Sequence, residues 1–240
     1  MLATRRNILS LVGATAAVSG GAALYLHGRK LPVAQADAST PASTPVAAPA
    51  VVPAIPAPPA NAGPNSPFGQ RSIGSPTAPV TAHEYFSLTC THCAEFATVT
   101  MPQVKPNLVD TGKLQIIYHD FPLDQVALMA AQVARYLPPD EYYPFIEALF
   151  AAQNDWAFQP NEDYHASIYK YAALAGMDQT TFNAALADDK LKAFILQGQQ
   201  EAEALDHIDA TPTFIINGRM YPGAMAYDDF AAAVAKAAAG

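Results

Sequence analysis

The sequence predicts an α/β fold in which a helical block interrupts a mixed sheet. Three observations predict it. A strand-like run passes directly into a helix-like one over residues 80–109. The pattern between Leu123 and His207 is helical throughout. After Thr213 it returns to strand, turn and strand. Only the C-terminal part of the 240-residue chain carries these patterns, over residues 68–240. A unit of about 170 residues buries a core without needing a disulfide or a metal.

Taken in order, the segment Arg71 to Pro79 ends in a turn, and Val80 to Leu88 reads as a strand because Tyr85, Phe86 and Leu88 supply β-favouring bulk. Cys90 to about Val109 reads as a helix, with Thr89 as its N-cap and Pro102 and Pro106 expected to kink or interrupt it. Lys113 to His119 forms a second strand. From Leu123 to His207, Ala, Leu, Tyr and Phe recur at three-to-four spacing, punctuated by Pro138-Pro139, Gln159-Pro160 and Gly176. Four or five helices are expected there. Thr213 to Ile216 is a strand, Asn217-Gly218 a hairpin turn, and Arg219 to Tyr221 the return strand. Asp228 to Ala239 closes the chain as a helix. This order of strand, helix, strand, helical block, hairpin and helix is that of a thioredoxin-like α/β fold with an inserted helical domain, about 123–207.

The N-terminal part reads differently. Arg5 and Arg6 precede Ile8 to Leu26, a run of 19 residues without formal charge. A basic segment followed by a modestly apolar one is an export signal, and Thr4-Arg5-Arg6-Asn7-Ile8-Leu9 is similar to a twin-arginine motif. An ordinary secretory segment that happens to hold two arginines reads the same way. Ala34-Gln35-Ala36 supplies a small-x-small cleavage site before Asp37; left uncleaved, residues 1–36 would be an N-terminal anchor. Residues 37–67 are Pro/Ala-rich, and residues 31–67 together hold 10 of the 21 prolines. Such a segment is a disordered, semi-rigid linker. Either route places the folded part in the periplasm, an oxidising compartment.

The formal charge of −8 becomes −12 once the segment through Ala36 is removed, with 9 basic against 21 acidic side chains. That balance excludes a nucleic-acid or phosphate-binding surface as the main function.

Cys90 and Cys93 are the only cysteines, with two residues between them. A bridge closing so short a loop stabilises little, so a structural staple is a poor account. Structural zinc needs about four ligands, and His83, His119, His165 and His207 show no paired ligand spacing. Ala94 stands where covalent c-type haem would need a histidine. No cofactor or metal is therefore expected, although copper held by the pair and a distant histidine stays open. The redox reading explains more. At a helix start, Cys90 meets free backbone N–H groups and the positive end of the helix dipole, which favour thiolate over thiol. Cys93 lies one turn further on the same face, and His92 between them can add a hydrogen bond or positive charge.

The run Glu84-Tyr-Phe-Ser-Leu-Thr-Cys90-Thr-His-Cys93 resembles the active-site segment of bacterial DsbA-type thiol–disulfide oxidoreductases. Gly74 to Thr81 upstream and Ala210-Thr-Pro-Thr-Phe-Ile-Ile-Asn-Gly218 downstream are also similar to that family. The resemblance covers about residues 70–238 and implies a thioredoxin fold with a helical insertion. It also implies roles for residues around the pair. Thr211-Pro212 matches the cis-proline loop that lies against the cysteines and docks substrate. Glu84 matches a buried acid that moves protons, the residue-level alternative being a half-exposed strand position. Thr91 replaces the usual proline, and His92 is as the family has it.

The expectation is a monomeric periplasmic dithiol oxidase. It would act on reduced or unfolded exported proteins and depend on a redox partner that restores the Cys90–Cys93 disulfide. A disulfide isomerase or reductase, and a copper-handling protein of the same fold, are the alternatives. His83 and His119 are read as strand-end residues, and Tyr142, Tyr143, Phe145 and Trp156 as packing of the helical insertion. Some apolar side chains near the cysteines should stay exposed to hold unfolded chains.

Overall fold

The structure, a computed structural model, describes Gly63, residues 65–159 and residues 163–240. The export or anchor segment at 1–36 and nearly all of the linker lie outside the described residues.

Five strands form one sheet in the order β1-β3-β2-β4-β5: β1 Arg71–Ile73, β2 Val80–Phe86, β3 Leu114–Asp120, β4 Thr213–Ile216 and β5 Arg219–Pro222. β2 and β3 are parallel, and the remaining neighbours are antiparallel. Parallel strands need a crossover, which the helical residues 91–109 supply. β4 and β5 join through Asn217 at φ 43° and Gly218 at φ 82°, the left-handed pair that a tight two-residue hairpin turn requires.

β1 was not among the expected elements. It has three residues, of which only Ile73 is a strong β-former, so local preference cannot define it. Its pairing with β3, Arg71 opposite Tyr118, does. Gly74 then leaves the sheet at φ 89°, where a Cβ would lie 2.4 Å from the Leu114 carbonyl oxygen. Only glycine fits there.

The helical run at 91–109 also differs from expectation. Cys90, not Thr89, is the N-cap of α1 Thr91–Glu95. The Thr89 hydroxyl instead donates to Asp124 Oδ2 at 2.6 Å. The prolines interrupt the α pattern without breaking the helical backbone. A π turn at Phe96–Thr100 precedes α2 Met101–Val104, and a second follows at Lys105–Val109. Near each proline, which has no N–H to give, an N–H reaches five residues back: Met101 N to Phe96 O, and Asp110 N to Lys105 O.

Between β3 and β4 the described residues hold six helices, not four or five: α3 Gln125–Tyr136, α4 Pro139–Ala151, α5 Gln153–Trp156, α6 Tyr164–Leu174, α7 Gln179–Leu186 and α8 Asp189–Leu205. The extra boundaries come from aspartate N-caps. Asp124, Asp163, Asp178 and Asp188 accept from Ala127, Ala166, Thr181 and Leu191 backbone N–H. Tyr142, Phe145 and Trp156 are buried in this block. α9 Tyr227–Ala238 ends the chain.

Alternation along β2 sends its side chains to two cores. Val80, Ala82 and Phe86 enter the main one with Cys93, Phe96, Phe214 and Phe230. Tyr85 joins Phe121, Ala202, Ile208 and Ile215 in a second. His83 lies mid-strand rather than at a strand end, and its Nδ1 is 2.8 Å from His119 Nε2.

Two buried arginines fix the entry of the chain. Arg71 donates to the carbonyls of Ser66, Gly69 and Arg135, the last at 2.8 Å. Arg135 donates to Pro67 and Gly69 and pairs with Asp120, which also accepts from Tyr142 Oη at 2.9 Å.

Candidate active site

The β2–α1 connection sets where the cysteines sit. Cys90 N donates to Ser87 O at 3.1 Å, turning the chain off the strand. Asp124 and Gln153 hold this turn from the helical block. Gln153 Nε2 donates to Leu88 O at 2.8 Å and to Cys90 O at 3.0 Å.

Because Cys90 is the N-cap, its sulfur occupies the position where a capping oxygen would normally accept from the second and third helical N–H groups. Those belong to His92 and Cys93. Both cysteines are free thiols and both are buried, Cys90 at 8% exposure and Cys93 at 0%. Their environments push them apart. The Cys93 thiol, as a hydrogen-bond donor, is the main influence lowering the Cys90 pKa to about 5. The Thr211 hydroxyl and the N–H groups of Cys93 and His92 assist against the cost of burial. Cys93 is pushed well above the ordinary thiol range, first by burial and then by Cys90 itself.

Thr211 and Pro212 lie against the pair. The Thr211–Pro212 bond is cis, and in the thiol form Cys90 Sγ donates to Thr211 O at 3.2 Å. Among the described residues the buried Thr211 hydroxyl has no other partner, which leaves it to the ionised sulfur. Thr91 and His92 are exposed. Of His92, the backbone N–H is what reaches Cys90; the described hydrogen bonds include none from its ring to the sulfur.

Glu84 is 3% exposed, not half-exposed, and burial raises its pKa to about 8. Its Oε2 has no hydrogen-bond partner among the described residues. Beside it lies a cavity of about 10 Å³ lined by Ala97, Met101, Tyr118, Tyr143 and Glu147 among others, which is room for one water. The buried Tyr118 hydroxyl also has no partner among the described residues, whereas Tyr143 Oη donates to Glu147 Oε1 at 3.2 Å. Among the described residues, no group of three or more His, Cys, Asp or Glu could hold a metal ion.

Sequence reasoning did not find Gln153, Asp124 or the Tyr118–Tyr143–Glu147 surround. Asp124 carried a usable signal, an aspartate just before a helical run. Gln153 carried none, because its partner Cys90 lies 63 residues away.

Comparison with known proteins agrees with this geometry. The family model described as Thioredoxin matches residues 68–236. The crystal structure of Wolbachia pipientis alpha-DsbA1 superposes with a TM-score of 0.67 at 30% identity, covering 71% of this chain and 91% of that one. The chain belongs to the DsbA-type thiol–disulfide oxidoreductases. A Rickettsia conorii protein named as a candidate protein-disulfide oxidoreductase is 26% identical over 166 residues. The match covers 69% of this chain but only 59% of that relative's length. Bacillus subtilis BdbD, at 20% identity and a TM-score of 0.61, shares the DsbA-type fold over 71% of this chain and 94% of its own. The expected thioredoxin-like architecture with its helical insertion is therefore present.

Proposed function

We propose that this chain is a periplasmic dithiol oxidase that introduces disulfides into exported proteins through Cys90 and Cys93. The observation that carries the reading is the unequal pair: Cys90 is poised as a thiolate at an N-cap, and Cys93 is held protonated in the core. Stabilising the Cys90 thiolate stabilises the reduced protein, and a stable reduced form makes the disulfide oxidising.

In the proposed cycle a substrate thiolate attacks Cys90 Sγ of the Cys90–Cys93 disulfide. The protein disulfide breaks, a mixed disulfide forms, and Cys93 leaves as a thiolate. Glu84, protonated at neutral pH, supplies the proton that Cys93 takes. A second substrate thiolate then attacks the substrate sulfur of the mixed disulfide, and Cys90 leaves as its stabilised thiolate. The substrate has lost two electrons, which the Cys90–Cys93 pair now holds. A partner disulfide accepts them in turn. Thr211-Pro212 is the docking element for the substrate backbone, and Thr91 and His92 are the exposed residues that tune the pair. The periplasmic placement is supported by the export-type segment before Asp37. Among the described residues, no helix is long and apolar enough to cross a membrane.

Equilibrating the protein with glutathione couples tests the direction of electron flow. The expected potential lies near the oxidising end of the family of such folds, about −120 mV, and a value near about −270 mV would make the protein a reductant.

A further inference from the structure

Resting on that reading, the structure points to where the substrate chain goes beyond its reacting cysteine. Beside the active-site turn is an open groove of about 520 Å³, within the ~300–1,000 Å³ typical of ligand sites. Phe121 and Leu123, just after β3, form one wall. Gln199 and Glu203, one turn apart on α8, line it at the surface between the walls. Ile208 and Asp209, before the cis-proline, form the other wall. We propose that this groove binds an extended segment of a reduced exported protein, one carrying an aliphatic residue and a Lys or Arg within a few positions of the reacting cysteine.

Both walls are tied to the sulfur. Leu123 N donates to Ser87 Oγ at 3.2 Å, three residues before Cys90, and the neighbouring Asp124 holds Thr89. On the other side, Asp209 is two residues from Thr211, whose carbonyl is 3.2 Å from Cys90 Sγ. An extended chain advances about 3.3 Å per residue, so a substrate joined to Cys90 and following this loop enters the groove with its second to fourth residue. His207, left-handed at φ 57°, turns the chain off the end of α8 and brings Ile208 and Asp209 into the wall.

The chemistry selects the occupant. Phe121 and Ile208 are the buried, apolar parts of the two walls, while Leu123 stands 53% exposed. Such a side chain gains by covering an aliphatic group. Glu203 and Asp209 carry negative charge at the rim. Neither is in an ion pair among the described residues, and Glu203 accepts only from Gln199 Nε2, at 3.1 Å. The chain's excess of acidic side chains reinforces a preference for cationic segments. A groove open along its length suits an unfolded strand rather than a folded domain.

The test compares peptides that carry a cysteine pair and, outside it on either side, Leu-Arg or Leu-Glu. The rate at which the oxidised protein oxidises each is measured beside that of dithiothreitol. The Leu-Arg peptides are expected to react about tenfold faster at low salt, the size that two exposed charge contacts support. Salt at about 0.5 M should shrink the preference, and the Glu203→Lys/Asp209→Lys double variant should reverse it. Leu123→Ser, which removes the apolar contact without adding charge, should slow both peptides relative to dithiothreitol. Leu174→Asp, in an equally large groove between other helices, should change nothing. Equal peptide rates with normal dithiothreitol oxidation overturn the groove and leave the oxidase reading standing. A charge preference that survives the double variant also overturns it. Failure to oxidise dithiothreitol overturns the oxidase reading instead.

Discussion

Replacing Glu84 by Gln should change how stability depends on pH, and the size follows from burial. The carboxyl is 3% exposed, and its pKa is raised from 4.5 to about 8 by loss of hydration. The folded protein therefore holds a proton that the unfolded chain releases between those two values. Over that window the native state binds more protons, so Glu84 makes stability fall as pH rises. At about 1.4 kcal/mol per pH unit, the full rise corresponds to a ceiling of about 5 kcal/mol lost by pH 8. Entry of the one water that fits beside Glu84 lowers that figure. Glutamine keeps the shape and one donor but cannot ionise, so the variant should match the parent near pH 4.5 and exceed it by several kcal/mol at pH 8. Guanidinium unfolding of the reduced protein from pH 4.5 to 8.5 measures the difference. Cys90 gives an opposing slope, because its pKa is lowered on folding and its stabilisation grows as pH rises past about 5. That slope is common to both proteins and cancels in the comparison. Parallel stability curves across the whole range would refute the argument, because they would mean that Glu84 ionises in the fold as readily as in the unfolded chain.

Two further outcomes follow from the site and its frame. Thr211→Val removes a hydroxyl that, among the described residues, has no partner other than Cys90; a hydrogen bond to a charged group contributes about 1.5 kcal/mol or more. The Cys90 midpoint, followed by thiolate ultraviolet absorbance, should rise by about one pH unit, and an unchanged midpoint would remove Thr211 from the set that stabilises the sulfur. Arg135→Met leaves Asp120 charged and buried, so equilibrium unfolding should show a loss of about 3–5 kcal/mol, whereas a loss below about 1 kcal/mol would mean that water reaches Asp120.

What the sequence made legible was what local rules decide. The Asn217-Gly218 turn, the β-favouring bulk of β2 and the C-x-x-C at a helix start each rest on a few adjacent residues. β1 was not legible, because its pairing with β3 defines it. The N-cap was misassigned by one residue because Thr89, a good capping residue, is drawn away by Asp124, 35 positions later. Pro102 and Pro106 signalled an interruption, but a missing N–H alone does not decide between a broken helix and the continuous backbone with π turns at Phe96–Thr100 and Lys105–Val109. Gln153, which holds the Cys90 carbonyl, belongs to a helix whose position only the assembled block determines.

The paired arginines at the chain's entry carry a mechanical consequence. Tension applied upstream of Ser66 meets, just before β1, a Ser66–Gly69 backbone that the side chains of Arg71 and Arg135 grip through several carbonyls. Asp120, the partner of Arg135, ends the strand that leads within four residues to Asp124 and so to the turn before Cys90. A pull on the domain is thus borne by a rigid corner. The orientation of the reacting sulfur relative to the Ser66–Gly69 backbone is therefore set by the fold.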